Sequence, residues 1–413
     1  MRILVNCYAC SPYKGSEPGM GWNFVKGLSK YHELFILTES KFKDDLNRYF
    51  ATNPDEKSNK HFFFIKKNRH KTLRKIWPPS YYWFYNQWQK KALKLAKELD
   101  AKYNFDLIHQ LNMVGYREPG YLYKLDKPFV WGPMGGFNIT PWKLLPSMGV
   151  KGMVFYGMRN IINSWQMKHS VRVAEAVNES DSIITATEDD HNTLLKLWNK
   201  DNIVIPEVGF QTSTKHQAES RVGKLKICWS GLHIPRKSLN LLLEAMAMLK
   251  NPDKMELHII GEGECTRKWK YLSKKLRLKN IIWHGWVEKT EAMEIMSACD
   301  VFVITSLSDA TSTVLLEALS MGLPVVATNH LGFANVITDA CGIKIDLKNH
   351  KQVIRDFAFA IEKLEGDEKY RQKLSLGALE RAKDFSWESK IDLIDKIYPV
   401  SYTHLTLPTK RIV

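Results

Sequence analysis

Two doubly wound α/β domains, each built on a parallel sheet, are expected from three features of this 413-residue chain. Short apolar segments bounded by turn or polar residues recur from end to end, as strands buried on both faces do. Segments with helical periodicity separate them, so successive strands join through right-handed crossovers. The alternation then restarts at residue 225, giving two series of roughly 180 residues, each the size of one domain.

In the first series, residues 3–6 form the opening strand, followed by a glycine-bearing loop and a helix over 22–28. Residues 34–38, 62–65, 107–109, 129–131 and 183–185 supply further strands. The second series runs through 225–229, 256–260, 281–284, 301–305 and 324–327. A helix over 314–319 is apolar on nearly every side except at Glu317, and is therefore expected to be buried. Between the two series, residues 211–220 are polar and aperiodic, as a linker is. Residues 401–413 break from the helical pattern before them. They resemble translated sequencing-adapter read-through and are set aside as a foreign tail.

Composition narrows the class. Hydrophobic residues at 44% and charged residues at 25% exclude wholesale disorder. No apolar run reaches about 18 residues, so no transmembrane helix is expected, and the first residues lack the apolar core of a secretory signal. Six cysteines, of which only Cys7 and Cys10 lie close together, make neither a disulfide framework nor a zinc site. A cytoplasmic protein follows. The formal charge of +16 favours anionic partners. Half of it lies between Lys66 and Asp100, where ten cations face two acids. Segment 66–97 interleaves Lys66, Lys67, Arg69, Lys71, Arg74 and Lys75 with Trp77, Tyr81, Tyr82, Trp83 and Trp88. Such a pattern suits an anionic membrane surface, the inner face of the cell membrane for a peripheral protein. The alternative is an aromatic core under a solvated charged face.

In open parallel sheets, ligands bind beyond the carboxyl ends of the strands, so chemistry is sought in the loops that follow them. A strand ending near Thr305 leads into Ser308, Asp309, Ala310, Thr311 and Ser312, and then into the helix bearing Glu317. A buried carboxylate needs a partner, either an internal donor or the adjacent hydroxyls of a ligand. Asp309 stands where helix amides attract anions, and is either a capping residue or part of a ligand site. After the strand at 225–229 come Gly231, His233, Arg236 and Lys237, a solvated pair of cations or a phosphate site. Gly261 and Gly263 form a lone G-x-G after another strand.

The pattern Asp309-x7-Glu317 followed by 318–327 (ALSMGLPVVA) resembles the acidic-x7-Glu motif of retaining GT-B glycosyltransferases of family four. Segments 257–263 (LHIIGEG), 282–287 (IWHGWV), 298–303 (ACDVFV) and 385–388 (FSWE) match in the same order. The first half matches more loosely, through 15–22 (GSEPGMGW) and 131–136 (WGPMGG). The resemblance implies a GT-B fold, with two Rossmann-like domains facing across a cleft. It divides the chain into an acceptor-side domain (1–208), a donor domain (209–385), a helix returning toward the first domain (386–400) and the foreign tail (401–413).

By that resemblance Glu317 holds the ribose hydroxyls, and Asp309 the donor sugar. Lys237 and Gly231 serve the pyrophosphate, as do amides of Ala310, Thr311 and Ser312. The family's Arg after the glycine is here Leu232, so Arg236 or His233 stands in for the second cation. Gly261 and Gly263 allow backbone to approach the nucleotide, and Trp286 and Val287 lie where the base is read. In the first half, Gly19 and Gly21 would approach the donor phosphate, Glu17 the acceptor, and Gly135 and Gly136 another cleft-facing loop. His109 would stand near the reacting sugar, unless that position is Leu111. The catalytic set is then Lys237, Asp309 and His109.

The implied reaction moves a sugar from a nucleotide-diphosphate sugar, UDP- or GDP-linked, to a glycan or lipid-linked saccharide, as in bacterial polysaccharide assembly. Retention of configuration is expected, by front-face departure. No cofactor or metal is expected, since neither H-x-x-x-H nor D-x-D occurs as a ligand cluster. Alternatives are a sugar-nucleotide epimerase of the same architecture and a noncatalytic nucleotide-sugar-binding relative. A nucleic-acid partner is not expected, because it would leave Glu317 unexplained.

Overall fold

The computed structural model describes residues 1–68, 72–73, 80–210 and 223–406. It has two compact units, each a doubly wound parallel sheet. The first comprises Met1–Phe137, Gln166–Val208 and the chain from Trp387 onward; the second comprises Asn138–Trp165 and Gly209–Ser386.

In the first unit the strands are β1 (Arg2–Cys7), β2 (Glu33–Glu39), β3 (Lys60–Ile65), β4 (Leu107–Asn112), β5 (Phe129–Met134), β6 (Ser182–Thr185) and β7 (Ile203–Val204). Their order among the described residues is β3-β2-β1-β4-β5-β6-β7, so the winding reverses between β1 and β4. Ile3, Leu4 and Val5 are all fully buried, as are Leu34, Ile36 and Leu37, because helices cover both faces of the sheet. Those helices are α1 (Ser16–Leu28), α2 (Lys43–Thr52), α3 (Ser80–Tyr103), α5 (Val171–Glu179), α6 (Glu188–Trp198) and α14 (Trp387–Thr406), α4 being the intervening helix Gly149–His169.

Helix α1 begins six residues before the expected 22–28. Pro18 sits in its first turn, where a missing N–H breaks no helical hydrogen bond. Helix α14 closes on α1 so tightly that a Cβ on Gly27 would lie 2.3 Å from Ile391 Cγ1. His32 Nε2 and Asp395 Oδ1, 2.7 Å apart, and Tyr31 Oη with Asp392 add polar links from the turn after α1 to α14. The ammonium of Lys390, buried beneath α14, donates to the carbonyls of Pro206 and Val208. The last helix runs past the expected end at residue 400. Ser401, placed in the foreign tail by its sequence, is buried, with its Oγ 2.7 Å from Ser182 Oγ. Residues 407–413 lie outside the described residues.

In the second unit, β8 (Leu225–Ser230), β9 (Met255–Ile260), β10 (Ile281–Gly285), β11 (Val301–Ile304), β12 (Val325–Thr328) and β13 (Gly342–Ile345) lie in the order β10-β9-β8-β11-β12-β13. The winding reverses between β8 and β11. The helices are α7 (Leu239–Met246), α8 (Thr266–Lys275), α9 (Lys289–Ser297), α10 (Thr313–Ser320), α11 (Leu331–Val336), α12 (His350–Gly366) and α13 (Glu368–Lys383). Ile227, Trp229, Leu257 and Val303 pack with Leu241 of α7 and Phe357 of α12 to form its core.

Segment 138–165, expected in the first domain, belongs to the second unit. Leu144, Leu145 and Met148 are buried in the second core, and Ser147 Oγ lies 2.7 Å from His350 Nδ1. Backbone at Gly152 comes so close to Pro235 that a Cβ there would stand 3.0 Å from the proline ring. Apolar contact, not chain order, assigns the segment. Most of the expected linker, 211–220, lies outside the described residues.

Candidate functional site

The second unit brings together the loops after β8 and β11, the two strands flanking its switch point. The β8 loop forms a single tight turn at Pro235–Lys237, then Ser238 takes a left-handed conformation (φ 47°) and starts α7. Hydrogen bonds stitch this loop to its neighbour. Leu307 N–H donates to Arg236 O (2.8 Å), and Thr305 Oγ1 donates to Lys237 O (2.7 Å). Trp229 Nε1 in turn donates to Thr305 Oγ1 (3.0 Å).

So held, the side chains of Arg236 and Lys237 converge on opposite oxygens of Asp309, Nη1 on Oδ1 and Nζ on Oδ2. Arg236 Nη1 also donates to Ser308 O (2.8 Å), and Ser306 Oγ to Asp309 Oδ2 (3.1 Å). Burial pushes the Asp309 carboxyl upward, but the charges of Lys237 and Arg236 outweigh it and hold the group below the usual carboxylate range. The trio therefore carries a net charge of +1 at neutral pH. Lys237 is nearly buried, so its charge acts in a poorly screened environment.

Two residues that the sequence did not single out border this trio. Arg159 of α4 donates from Nη1 to Ser308 Oγ (3.4 Å), and Tyr156 lies one turn before it. Burial raises the Tyr156 phenol above its ordinary value, and the charges of Arg236, Arg159 and Asp309 all act on it. No motif marks this helix, which precedes the donor segment by about 150 residues in sequence.

Ser312 occupies the position before α10, as anticipated, but its side chain makes no capping bond. Thr311 and Ser312 are buried beside it, and Ala310 is half-buried, its carbonyl accepting from Gly332 N–H (2.9 Å). Glu317, on α10, is nearly buried at 12% side-chain exposure, and its Oε1 lies 3.0 Å from Nζ of Lys289 on α9. That lysine is 77% exposed. The internal partner of Glu317 is thus a surface cation, in a pair of the kind worth about 0–1 kcal/mol.

The glycines separate into two kinds. A Cβ on Gly261 (φ 113°) would meet Gly231 O at 2.1 Å, and one on Gly263 would meet His233 O at 2.6 Å. Contact between the β8 and β9 loops already explains both. Gly231 differs: a Cβ there would meet only Trp229 and Lys237 at ordinary distances of 3.6–3.8 Å. Leu232 is exposed. His233 is a core residue and not a stand-in cation. Its Nδ1 lies 2.9 Å from Thr266 Oγ1, its ring packs among Trp229, Trp269 and Trp283, and burial with the Lys270 charge lowers its pKa to about 4. Trp286 projects from the loop after β10 at 66% exposure, with Val287 half-buried next to it.

In the first unit, the expected residues each have local partners. Gly19 and Gly21 lie inside α1, where Cβ atoms would stand 2.4 Å from Lys14 O and 2.2 Å from Ala9 O. Their role is to let α1 settle on the β1 loop. His109 is fully buried in β4 with both ring nitrogens partnered, Nε2 to Gly132 O and Nδ1 to Tyr398 Oη, each at 2.7 Å. A carbonyl only accepts, so Nε2 carries the proton and Nδ1 receives the Tyr398 hydroxyl. Burial lowers its pKa to about 4, so the ring is held neutral between these two partners. Glu17 accepts from Val114 N–H (3.0 Å), with burial raising its carboxyl. Gly135 and Gly136 lie against Asp190, whose Oδ1 accepts from Phe137 N–H (3.0 Å) and whose burial raises its pKa to about 6.

The basic segment 66–97 is also redistributed. Lys67 is buried, 3.6 Å from the Tyr81 ring centre and 3.2 Å from Tyr8 Oη. Trp88 is core, donating from Nε1 to Ile65 O (2.9 Å). Lys66, Tyr82, Trp83, Lys90, Lys91, Lys94 and Lys97 remain exposed, whereas Arg69, Lys71, Arg74, Lys75 and Trp77 lie outside the described residues. Among the described residues no group of three or more His, Cys, Asp or Glu side chains is placed to hold a metal ion.

Residues 211–381, which carry the Arg236–Lys237–Asp309 trio and Glu317, match the family model of glycosyl transferases group 1. The match spans fewer than half of the chain's residues and marks a similarity to that family. Over 242 residues the chain is 28% identical to a D-inositol 3-phosphate glycosyltransferase of Stackebrandtia nassauensis, covering 53% of this chain and 54% of that one. Over 231 residues it is 26% identical to an O-antigen chain mannosyltransferase B of Escherichia coli, covering 52% and 59%. The chain thus spans just over half the length of these curated relatives. The structure of Anabaena HepE in complex with UDP superimposes with a TM-score of 0.62 at 15% identity, over 98% of this chain and all of that one. That likeness is one of fold, and it extends to both units.

Proposed function

We propose that this protein moves a sugar from a nucleotide-diphosphate sugar to a hydroxyl of a glycan or lipid-linked saccharide, with retention of configuration. The observation that carries this is the convergence of Arg236 and Lys237 on Asp309 at the switch point, eight positions before Glu317 on the following helix. Each cation has further N–H donors beyond those on Asp309 and Ser308, so the trio can turn them on a diphosphate while Asp309 keeps them aimed. The amides opening α10 add to the positive field. Glu317 accepts the ribose hydroxyls in place of Lys289, and exposed Trp286 lies on the base side. The names of relatives agree with this chemistry: one transfers mannose to an O-antigen chain, and HepE binds UDP.

In the transfer, the acceptor oxygen bonds to the anomeric carbon as that carbon's bond to the β-phosphate oxygen breaks. The departing phosphate oxygen takes the acceptor's proton, and nucleoside diphosphate leaves. Lys237 and Arg236 stabilise its growing charge. Exposed lysines of α3 remain candidates for contact with an anionic surface. A panel of UDP-, GDP- and ADP-sugars screened by thermal shift tests donor binding without an acceptor. Failure of every member to raise the melting temperature would reject the donor site. The anomeric configuration of the product, read by NMR, tests retention.

A further inference from the structure

Helix α4 is amphipathic the wrong way round for a soluble protein. Its buried positions are Gly152, Asn160 and Asn163, and the asparagines are satisfied by backbone. Asn160 pairs with both the N–H and the carbonyl of Thr140 (2.9 and 2.7 Å), and Asn163 Nδ2 donates to Asn138 O (2.9 Å). Its exposed positions are mostly apolar, Val150, Met153, Val154, Phe155 (63%), Met158, Ile161 (63%), Ile162 and Trp165 (62%), with Lys151, Lys168 and His169 beside them. At about 100° per residue all of these apolar positions but Met153 fall on one arc of about 140°, along roughly 22 Å of helix, and Met153 lies about 60° beyond it. A surface helix ordinarily turns such an arc to the core.

Charge identifies what the arc faces. From residue 127 to 174 the chain contains no Asp or Glu, but has Lys127, Lys143, Lys151, Arg159, Lys168 and Arg172. Lys151 and Lys168 stand exposed at the two ends of the arc. A helix with Trp, Phe and Ile on one face, cations at its borders and no acid is built to lie in the headgroup layer of an anionic bilayer. No described helix is long and apolar enough to cross a membrane.

We infer that α4 is the element by which this protein docks on an anionic lipid surface, with the Val150–Trp165 face inserted. The flank of the same helix just beyond the apolar arc carries Arg159, bonded to Ser308 next to Asp309. Docking would hold the donor loop within about one helix diameter of the headgroups. That consequence, though not the lipid contact, rests on the transferase reading and fits a lipid-linked acceptor.

Sedimentation of the whole protein with vesicles tests this. Wild type should bind vesicles of equal parts phosphatidylcholine and phosphatidylglycerol at low salt, and bind phosphatidylcholine alone far less. Met158→Gln/Ile161→Gln/Trp165→Gln, which keeps good helix formers, should lower that partition at least about tenfold. Its melting temperature and its affinity for nucleotide sugar should stay unchanged, which separates this proposal from the donor site. Equal binding by wild type and the triple variant would overturn it, as would no binding by wild type. Binding lost instead on Lys90→Glu/Lys94→Glu/Lys97→Glu would move the contact to α3. A wild-type dimer by ultracentrifugation that the triple variant makes monomeric would show that a second copy covers the face, and would equally overturn it.

Discussion

Glu317 of α10 is held by Lys289 of α9, with Oε1 3.0 Å from Nζ, although the lysine stands mostly in solvent. A carboxylate nearly buried, whose partner among the described residues is a surface cation, is available to a better donor. The two ribose hydroxyls of a nucleotide are such donors. Glu317→Ala should weaken nucleotide binding roughly 10- to 150-fold, the loss of a charge-assisted hydrogen bond worth about 1.5–3 kcal/mol. Lys289→Ala should bind at least as tightly as wild type. Calorimetric titration of both variants decides the matter, and an Lys289→Ala affinity as poor as that of Glu317→Ala would assign the pair a structural role.

Lys237→Ala should act mainly on turnover. Its ammonium is nearly buried and already placed on Asp309, so its charge matters most as diphosphate charge grows. Removing one such contact costs about 3–4 kcal/mol, or roughly 10²–10³ in kcat. Steady-state kinetics on folded enzyme should show kcat falling with little change in KM. A rise in KM alone would place Lys237 in ground-state binding.

Asp309→Asn should separate two ligands. The asparagine offers less to donor-sugar hydroxyls, so affinity for the nucleotide sugar should fall. The same change releases a negative charge from between Arg236 and Lys237, so free nucleoside diphosphate should bind as well as before or better. Titrating both ligands into the variant tests this, and equal losses for both would refute the sugar contact.

Acid should destabilise both units through buried histidines. His109 and His233 titrate near 4 in the folded chain, below the ordinary value near 6.5. Between these values the unfolded chain binds more protons, so stability is fully present above about pH 6.5 and falls as pH drops toward 4. For the fully buried His109 this amounts to on the order of 3 kcal/mol across that window, and less for His233. Melting temperatures measured from pH 7 to 4 should show the loss, and His109→Asn should reduce its slope. An unchanged slope would mean that His109 gains a proton without strain.

What the sequence determined by itself was whatever depends on local pattern. Continuous apolar runs such as 3–5 and 301–304 marked strands, since a strand covered on both faces must be apolar throughout. The Asp309-x7-Glu317 spacing and the cations after β8 were legible for the same reason: each lies within one strand–loop–helix unit. The short edge strands β7 and β13 bury too little to leave such a pattern. Tertiary structure alone decided relations between distant segments. It moved 138–165 into the second unit through Leu144, Leu145 and Met148, and brought His109 together with Tyr398, 289 residues away. It set both cations on one carboxylate, and turned the apolar face of α4 outward by satisfying Asn160 and Asn163 within. A side chain's role depends on which partners packing brings within about 3 Å, and sequence order does not encode that distance.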